Sequence, residues 1–197
     1  MNSETLTQKN EEKKDERLDE RMIKSRTILI STEVSSSLVD KIIKHLIIME
    51  EEDKEKPISV YINSPGGGAD SGFAIYDMLK FVNPSIRTIC SGMCASAGIV
   101  IFLAGDKGQR LSLPNSRFMV HEPRYLSTAY GRASDIAIIA RELIKLKDRY
   151  NTIIAEATGK SIDEIAKDVQ RDFWLSPAEA VEYGLVDKII NSRDELE

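Results

Sequence analysis

Histidine is scarce in this chain, with two residues, His45 and His121, among 197. A reaction that needs an imidazole base must use one of them. Cysteine is equally rare. Cys90 and Cys94 form a C-x3-C pair with no further Cys and no His close by, which argues against a metal site and against a disulfide framework. They read as reduced core thiols of a cytosolic protein. No apolar run reaches the ~18 residues of a membrane span. The opening MNSETLTQKNEEKKDERLDERMIK has no hydrophobic centre such as a secretory signal carries, so the expected location is the cytoplasm. Positive charge is not in surplus either. The net charge of −5 removes the usual reason to expect nucleic acid or an anionic membrane as partner.

What is present is a globular composition, 42% hydrophobic and 30% charged, at a length that suits one domain with its own core. Residues 1–25 stand apart. They are dense in acids and bases and almost free of apolar side chains, so the segment cannot order itself by burial and reads as flexible, or helical only against a partner. The remaining chain, 26–197, reads as a single domain.

Strand and helix signals alternate along that domain. RTILI (26–30) and PISVYIN (57–63) read as strands. Between them SSSLVDKIIKHLIIMEEED reads as a helix with a serine cap and an apolar stripe through Leu38, Ile42, Leu46 and Met49. ADSGFAIYDMLKFV is a helix ended at Asn83-Pro84. Then follow a strand over 86–90, a segment around Ser96, and a helix through about 104. QRLSL and RFMVH are short strands, and 131–158 is a long amphipathic helix of roughly 40 Å. SIDEIAKDV and SPAEAVEYG are serine-capped helices, and LVDKII is a last strand. The alternation gives an α/β class.

The stretch CSGMCASAG surrounds Ser96 with small residues. A serine hydroxyl attacks only when a base takes its proton. At a turn from strand to helix, small neighbours give a sharp backbone and open space. They also let the Ala97 N–H, at a helix N-terminus, face a developing oxyanion. The neighbours do not fit G-x-S-x-G, so this is not the α/β-hydrolase turn, and a close strand–helix contact explains the small residues equally well. His45 reads as a residue on the flank of its helix. His121 ends a strand before Pro123, where functional side chains often emerge, although a histidine there also fills a hydrogen-bonding niche. Composition does not choose among 32 acids. Asp172, in QRDFWLSP beside the only Trp, is suggestive. NSPGGG (63–68) follows a strand and offers free amides, but it lacks the Lys-Ser/Thr of a P-loop and the spacing of a dinucleotide loop.

Taken together, YINSPGG with AIYDML, TICSGMCASAG, LPNSRFMVHEP and RDFWLSPAEAVEYGLVDKII resemble the proteolytic subunit of the ATP-dependent Clp protease, over about 25–190. The resemblance implies a crotonase-like α/β fold of stacked ββα units with a protruding handle, here about 122–158. It implies heptameric rings, homo- or hetero-oligomeric, stacked as a tetradecamer around a closed chamber. It implies cleavage of unfolded proteins or peptides by a Ser-His-Asp route. Carried over by motif, the nucleophile is Ser96, the base His121 and the orienting acid Asp172. The oxyanion donors are the amides of Gly67 and Ala97, and Gly67, Gly68, Pro123 and Arg124 fall in the substrate groove. No metal or cofactor is implied for the chain, because ATP is spent by a separate AAA+ unfoldase.

The chain departs from that pattern in three places. Where the family usually reads His-Gln-Pro and a Gly-rich strand, this chain has HEPRYLSTAYGRASD, so Arg124, Tyr125 and Tyr130 alter the groove and the ring contact. Gln170 stands before Arg171, where an acid usually pairs with the opposite ring. QKNEEKKDERLDERM does not resemble the usual apolar gate. These departures favour a second expectation, a mainly structural or regulatory ring subunit active only with a paralogue. An acyl-CoA enzyme of crotonase type shares the fold but does not need Ser96, His121 and Asp172 together.

Overall fold

A computed structural model describes residues 17–124 and 131–196. Among these residues seven strands form one sheet. The elements are β1 (Thr27–Ile30), α2 (Ser36–Glu52), β2 (Ile58–Ser64), α3 (Ala69–Phe81), β3 (Ile86–Ala95), α4 (Ala97–Phe102), β4 (Arg110–Ser112), β5 (Arg117–Val120), α5 (Ala133–Thr158), α6 (Ile162–Asp168), β6 (Phe173–Leu175), α7 (Pro177–Tyr183) and β7 (Lys188–Ile189). A helix over 17–24, α1, precedes them. It is tied to α2 by an ion pair of 2.8 Å between Asp19 and Lys41. Strands and helices alternate along the chain, which is the α/β class expected from the sequence.

The sheet runs β1-β2-β3-β4-β7, all parallel. Parallel strands covered by helices bury both faces, hence the apolar runs. Ile58, Val60 and Ile62 of β2 are fully buried, as are Ile42, Leu46 and Met49 on the inner face of α2. Each such side chain contributes about 1.5–3 kcal/mol of burial. Ser35 caps α2 by accepting from the Leu38 N–H. Ser161 with Glu164 and Ser176 with Glu179 make capping boxes that start α6 and α7.

β3 is longer than its sequence suggests. It continues through Ser91-Gly92-Met93 to Ala95, where the small residues read as a turn. A bulge explains the continuation. Ile62 pairs with Cys90 and Ser64 with Cys94, so β3 advances four residues while β2 advances two. Gly92 sits at φ 149 with the Asn63 side chain against it, and a Cβ there would meet Asn63 Oδ1 at 2.5 Å. Asn63 Oδ1 in turn accepts the Met93 N–H at 3.0 Å. Below the bulge β3 pairs with β4, and above it with β5. β5 then carries β6 antiparallel on its far side. The three residues of β6 were not legible as a strand. They are too few to show a period, and the free edge of β5 creates the pairing.

The long helix α5 begins at Ala133 rather than 131. Only its last third is buried, at Tyr150, Asn151, Ile153, Ile154 and Ala155. Ahead of that third, Ile136, Ile138 and Ile144 are exposed, while Leu143 and Leu146 are partly buried. The exposed isoleucines are not covered by the described part of the chain.

One carboxylate joins three distant parts. Asp187 accepts the N–H groups of Gly108 and Arg110 at 2.9 Å each, and the Arg110 guanidinium at 2.6 and 3.1 Å. Arg110 also donates to the Ala157 carbonyl at the end of α5. Burial alone would raise the Asp187 carboxyl, but the Arg110 guanidinium and these amides hold it below its ordinary value of 3.8. A depressed folded-state value means stability that is present above the ordinary value and lost as pH falls through the folded one. Asp187→Ala leaves Arg110 almost buried and unpaired, so it should lower unfolding free energy by roughly 3 kcal/mol. Denaturant melts of both proteins should also show wild type losing this advantage below pH 4, while the variant changes less with acid.

Candidate active site

Ser96 is the single residue between β3 and α4. Its backbone is at φ 53, ψ −122, a conformation costly for a side chain with a Cβ. Two hydrogen bonds hold it there. Its N–H donates to the Met119 carbonyl of β5, and its carbonyl accepts the Ile99 N–H of α4, both at 2.9 Å. The small neighbours now have a physical reason. A Cβ on Gly72 would lie 3.0 Å from the Ala97 methyl, so α3 and α4 cross in near contact. A Cβ on Gly98 would lie 3.8 Å from Cys94 Sγ below it.

The NSPGGG loop packs directly on this turn. A Cβ on Gly66, which is at φ 92, would fall 2.6 Å from the Ala95 carbonyl and from Ser96 Cβ. The loop is pinned on its other side to Val34. The Val34 N–H donates to the Gly66 carbonyl and the Gly68 N–H to the Val34 carbonyl, both at 2.8 Å. That bridge leaves the Gly67 N–H outside it. The Ala97 N–H, in the first turn of α4, has no carbonyl of the same helix behind it. Gly67 and Ala97 both border a cavity of about 600 Å³ that Ser96 also lines. Two unclaimed amides beside one hydroxyl are what an oxyanion requires.

His121 follows β5 and reaches the same cavity. It is nine-tenths buried. Its Nδ1 lies 2.7 Å from the Glu122 carbonyl oxygen. With the proton on Nδ1 donated there, Nε2 is left as an acceptor. The Glu122 N–H donates to the Val169 carbonyl at 2.8 Å. The Glu122 carboxylate pairs with Lys147 of α5 at 2.6 Å, which ties the residue after the histidine to the long helix.

Asp172 is close in register but outside the cavity. The β5–β6 ladder ends at the pair Val120–Phe173, and His121 and Asp172 are the residues just beyond it on each strand. The Asp172 side chain is nevertheless exposed, and no hydrogen bond joins it to His121 among the described residues. Gly68, Pro123 and Arg124 line the cavity with Gly67. Tyr125 and Tyr130 lie outside the described residues. Gln170 is exposed, and its carbonyl accepts from Arg171 at 3.1 Å. His45 is half-buried on α2 beside a different groove, with Leu18, Met22 and Leu38, and burial lowers its affinity for a proton.

Other lining residues had no sequence signal. Phe73, Val100, Leu143 and Leu146 give the cavity an apolar wall suited to a hydrophobic side chain next to Ser96. Tyr150, from the buried third of α5, closes it. Among the described residues its hydroxyl has no partner within hydrogen-bonding geometry, and burial pushes the phenol well above its ordinary value despite the nearby His121 backbone. On the helix all five look like plain core positions, and only packing reveals which of them face the cavity. No group of three or more His, Cys, Asp or Glu side chains among the described residues is placed to hold a metal ion.

Comparison with known proteins agrees with this geometry. The Clp protease family profile matches residues 9–193. Among solved structures, a point mutant of ClpP1 from Listeria monocytogenes superposes with a TM-score of 0.83 at 43% sequence identity, covering 91% of this chain and 99% of the other. The match takes in every segment that surrounds Ser96, and the chain belongs to the Clp protease family, as a ClpP-type protease subunit.

Proposed function

We propose that the chain is a serine endopeptidase subunit that cleaves unfolded proteins and peptides inside a stacked-ring chamber. The observation that carries the reading is the meeting of Ser96, His121 and the amides of Gly67 and Ala97 at one cavity. Ser96 Oγ attacks the scissile carbonyl while His121 Nε2 takes its proton. The Gly67 and Ala97 N–H groups hold the oxyanion. His121 then protonates the leaving amine, and a water repeats the sequence on the acyl-enzyme. Asp172 orients the imidazole once its carboxylate replaces the Glu122 carbonyl as acceptor for Nδ1–H, His121 and Asp172 both lying just beyond the end of the β5–β6 ladder. Gly68, Pro123 and Arg124 border the bound peptide, and the apolar wall takes its side chain.

The chemistry proposed here uses side chains and backbone amides alone, so ATP enters only through a separate AAA+ unfoldase that feeds the chamber. The exposed isoleucines of α5 (Ile136, Ile138, Ile144) support assembly of one ring on another. No helix among the described residues is long and apolar enough to cross a membrane, which suits a proteolytic chamber working in the cytoplasm.

A second reading has its own observation. With the His121 proton given to Glu122 rather than Asp172, this chain by itself is equipped but not aligned. We read it as a mainly structural or regulatory ring subunit that becomes active only in a hetero-oligomer with a paralogue. Peptidase assays on a short fluorogenic peptide, with the chain alone and mixed with a paralogue, separate the two. Activity of the chain alone makes it self-sufficient, and activity only on mixing makes it conditional.

Ser96→Ala should abolish covalent labelling by a fluorophosphonate or β-lactone and lower turnover by roughly 10⁶-fold, with ring assembly unchanged by native mass spectrometry. Labelling that survives the change would refute Ser96 as nucleophile. Gly66→Ala should act through geometry. Its methyl displaces the Ser96 turn, and a misplacement of about 1 Å costs about 10²-fold in peptide cleavage. Wild-type rates for Gly66→Ala would mean that the loop does not position the turn.

A further inference from the structure

Cys90 and Cys94 take no part in the proposed hydrolysis, yet they lie on the strand that ends at Ser96. Four residues of extended strand separate Cα atoms by about 13 Å, too far for a disulfide. The bulge in β3 removes that separation. Cys90 pairs with Ile62 and Cys94 with Ser64. Measured along β2 the two cysteines are thus only two residues apart, about 6.6 Å. Disulfide-linked Cα atoms lie about 4.4–6.8 Å apart. Ile62 and Ser64 face the same side of β2 and are buried, so the two thiols turn to one side as well. Both are free thiols at 0% exposure.

The two sulfurs differ in character. Cys94 beside it holds the Cys90 thiol below its ordinary value against burial, helped by Ser116 and by the N–H groups of Gly92 and Arg117. Cys94 is pushed up by its own burial and by Cys90. This division suits attack by Cys90 and resolution by Cys94. The cover over them is thin, because Ser91, Gly92 and Met93 of the bulge are only half-buried.

We propose that Cys90 and Cys94 close to a reversible disulfide beneath the Ser96 turn when a peroxide reaches them, and that closure slows acylation of Ser96. Cys90 sulfur attacks one oxygen of hydrogen peroxide, the O–O bond breaks, and a sulfenic acid and water result. Cys94 sulfur then attacks the Cys90 sulfur, the S–O bond breaks, and a second water leaves. The two thiol protons end in the two waters, and the two electrons given up by sulfur reduce the peroxide. A dithiol reverses the bond by exchange.

The link to the turn is mechanical. Cys94 precedes Ser96 by two residues, and its Sγ lies against the first turn of α4, 3.8 Å from the position of a Cβ on Gly98. Bringing the sulfurs from contact to a bond of about 2.05 Å draws Cys94 toward the bulge. Ser96, already at φ 53, follows, and Ala97 with it. The slowing of acylation rests on Ser96 as the nucleophile, whereas the disulfide does not.

The experiment exposes the full-length protein to hydrogen peroxide and follows two readouts. Intact mass after alkylation in denaturant should show a species lighter by two hydrogens with both cysteines protected, and the peptide spanning 90–94 should carry the bond. In parallel the fluorophosphonate labelling rate of Ser96 should fall tenfold or more, recover with dithiothreitol, and stay constant in Cys94→Ala. Two alkylatable thiols after peroxide overturn the proposal, as do disulfides that only link chains. An internal disulfide with an unchanged labelling rate overturns the coupling. Reduced protein that never labels refutes the serine-peptidase reading instead, and the mass readout still decides whether the bond forms.

Discussion

The bulge in β3 is the constraint on which the molecule turns. A straight strand would pair with one neighbour along its length. By looping out residues opposite Asn63, β3 changes partner from β4 to β5 halfway along. That fork brings the end of β5, and hence His121, beside the end of β3, and hence Ser96. It also gives β5 an outer edge for β6, and Asp172 directly precedes that strand as His121 directly follows β5. The proposed triad comes from three separate segments, and one irregularity in one strand is what gathers them.

Around the fork, close approach replaces bulk. Gly66 and Gly72 occupy places where a methyl group would press on Ser96 or Ala97. The strained serine backbone is held by hydrogen bonds to β5 and α4, so its conformation depends on both neighbours being present. Strain of this kind persists only where the surroundings over-determine it. Away from the site, the Arg110–Asp187 network does similar work for the periphery, locking β4, β7 and the end of α5 together through one buried pair.

The link between His121 and Asp172 is looser. Both residues lie just beyond the end of the β5–β6 ladder, but the imidazole proton goes to the Glu122 carbonyl, and Glu122 is held by Lys147 of α5. The long helix therefore touches the residue that competes for the histidine. Its own first turns carry exposed isoleucines that nothing in the described chain covers. Assembly and alignment thus meet on the same helix.

Much of this was legible in the residues. Alternating apolar patterns and serine caps marked nearly every helix and the longer strands, because local periodicity and capping act over a few residues. Ser96, His121 and the glycines of NSPGGG stood out because a nucleophile turn and a close backbone approach demand particular residue types at particular places. What lay beyond the sequence depended on partners far along the chain. SGM shows no strand period until Asn63 is set against Gly92, and FWL is too short to show one until β5 offers an edge. Phe73, Val100 and Tyr150 are core residues until three elements leave a cavity between them. Whether Asp172 meets His121 was decided by the hydrogen bond that Glu122 makes first. Local chemistry writes periods, caps and turns into a sequence, whereas contacts between distant segments exist only once the chain has folded.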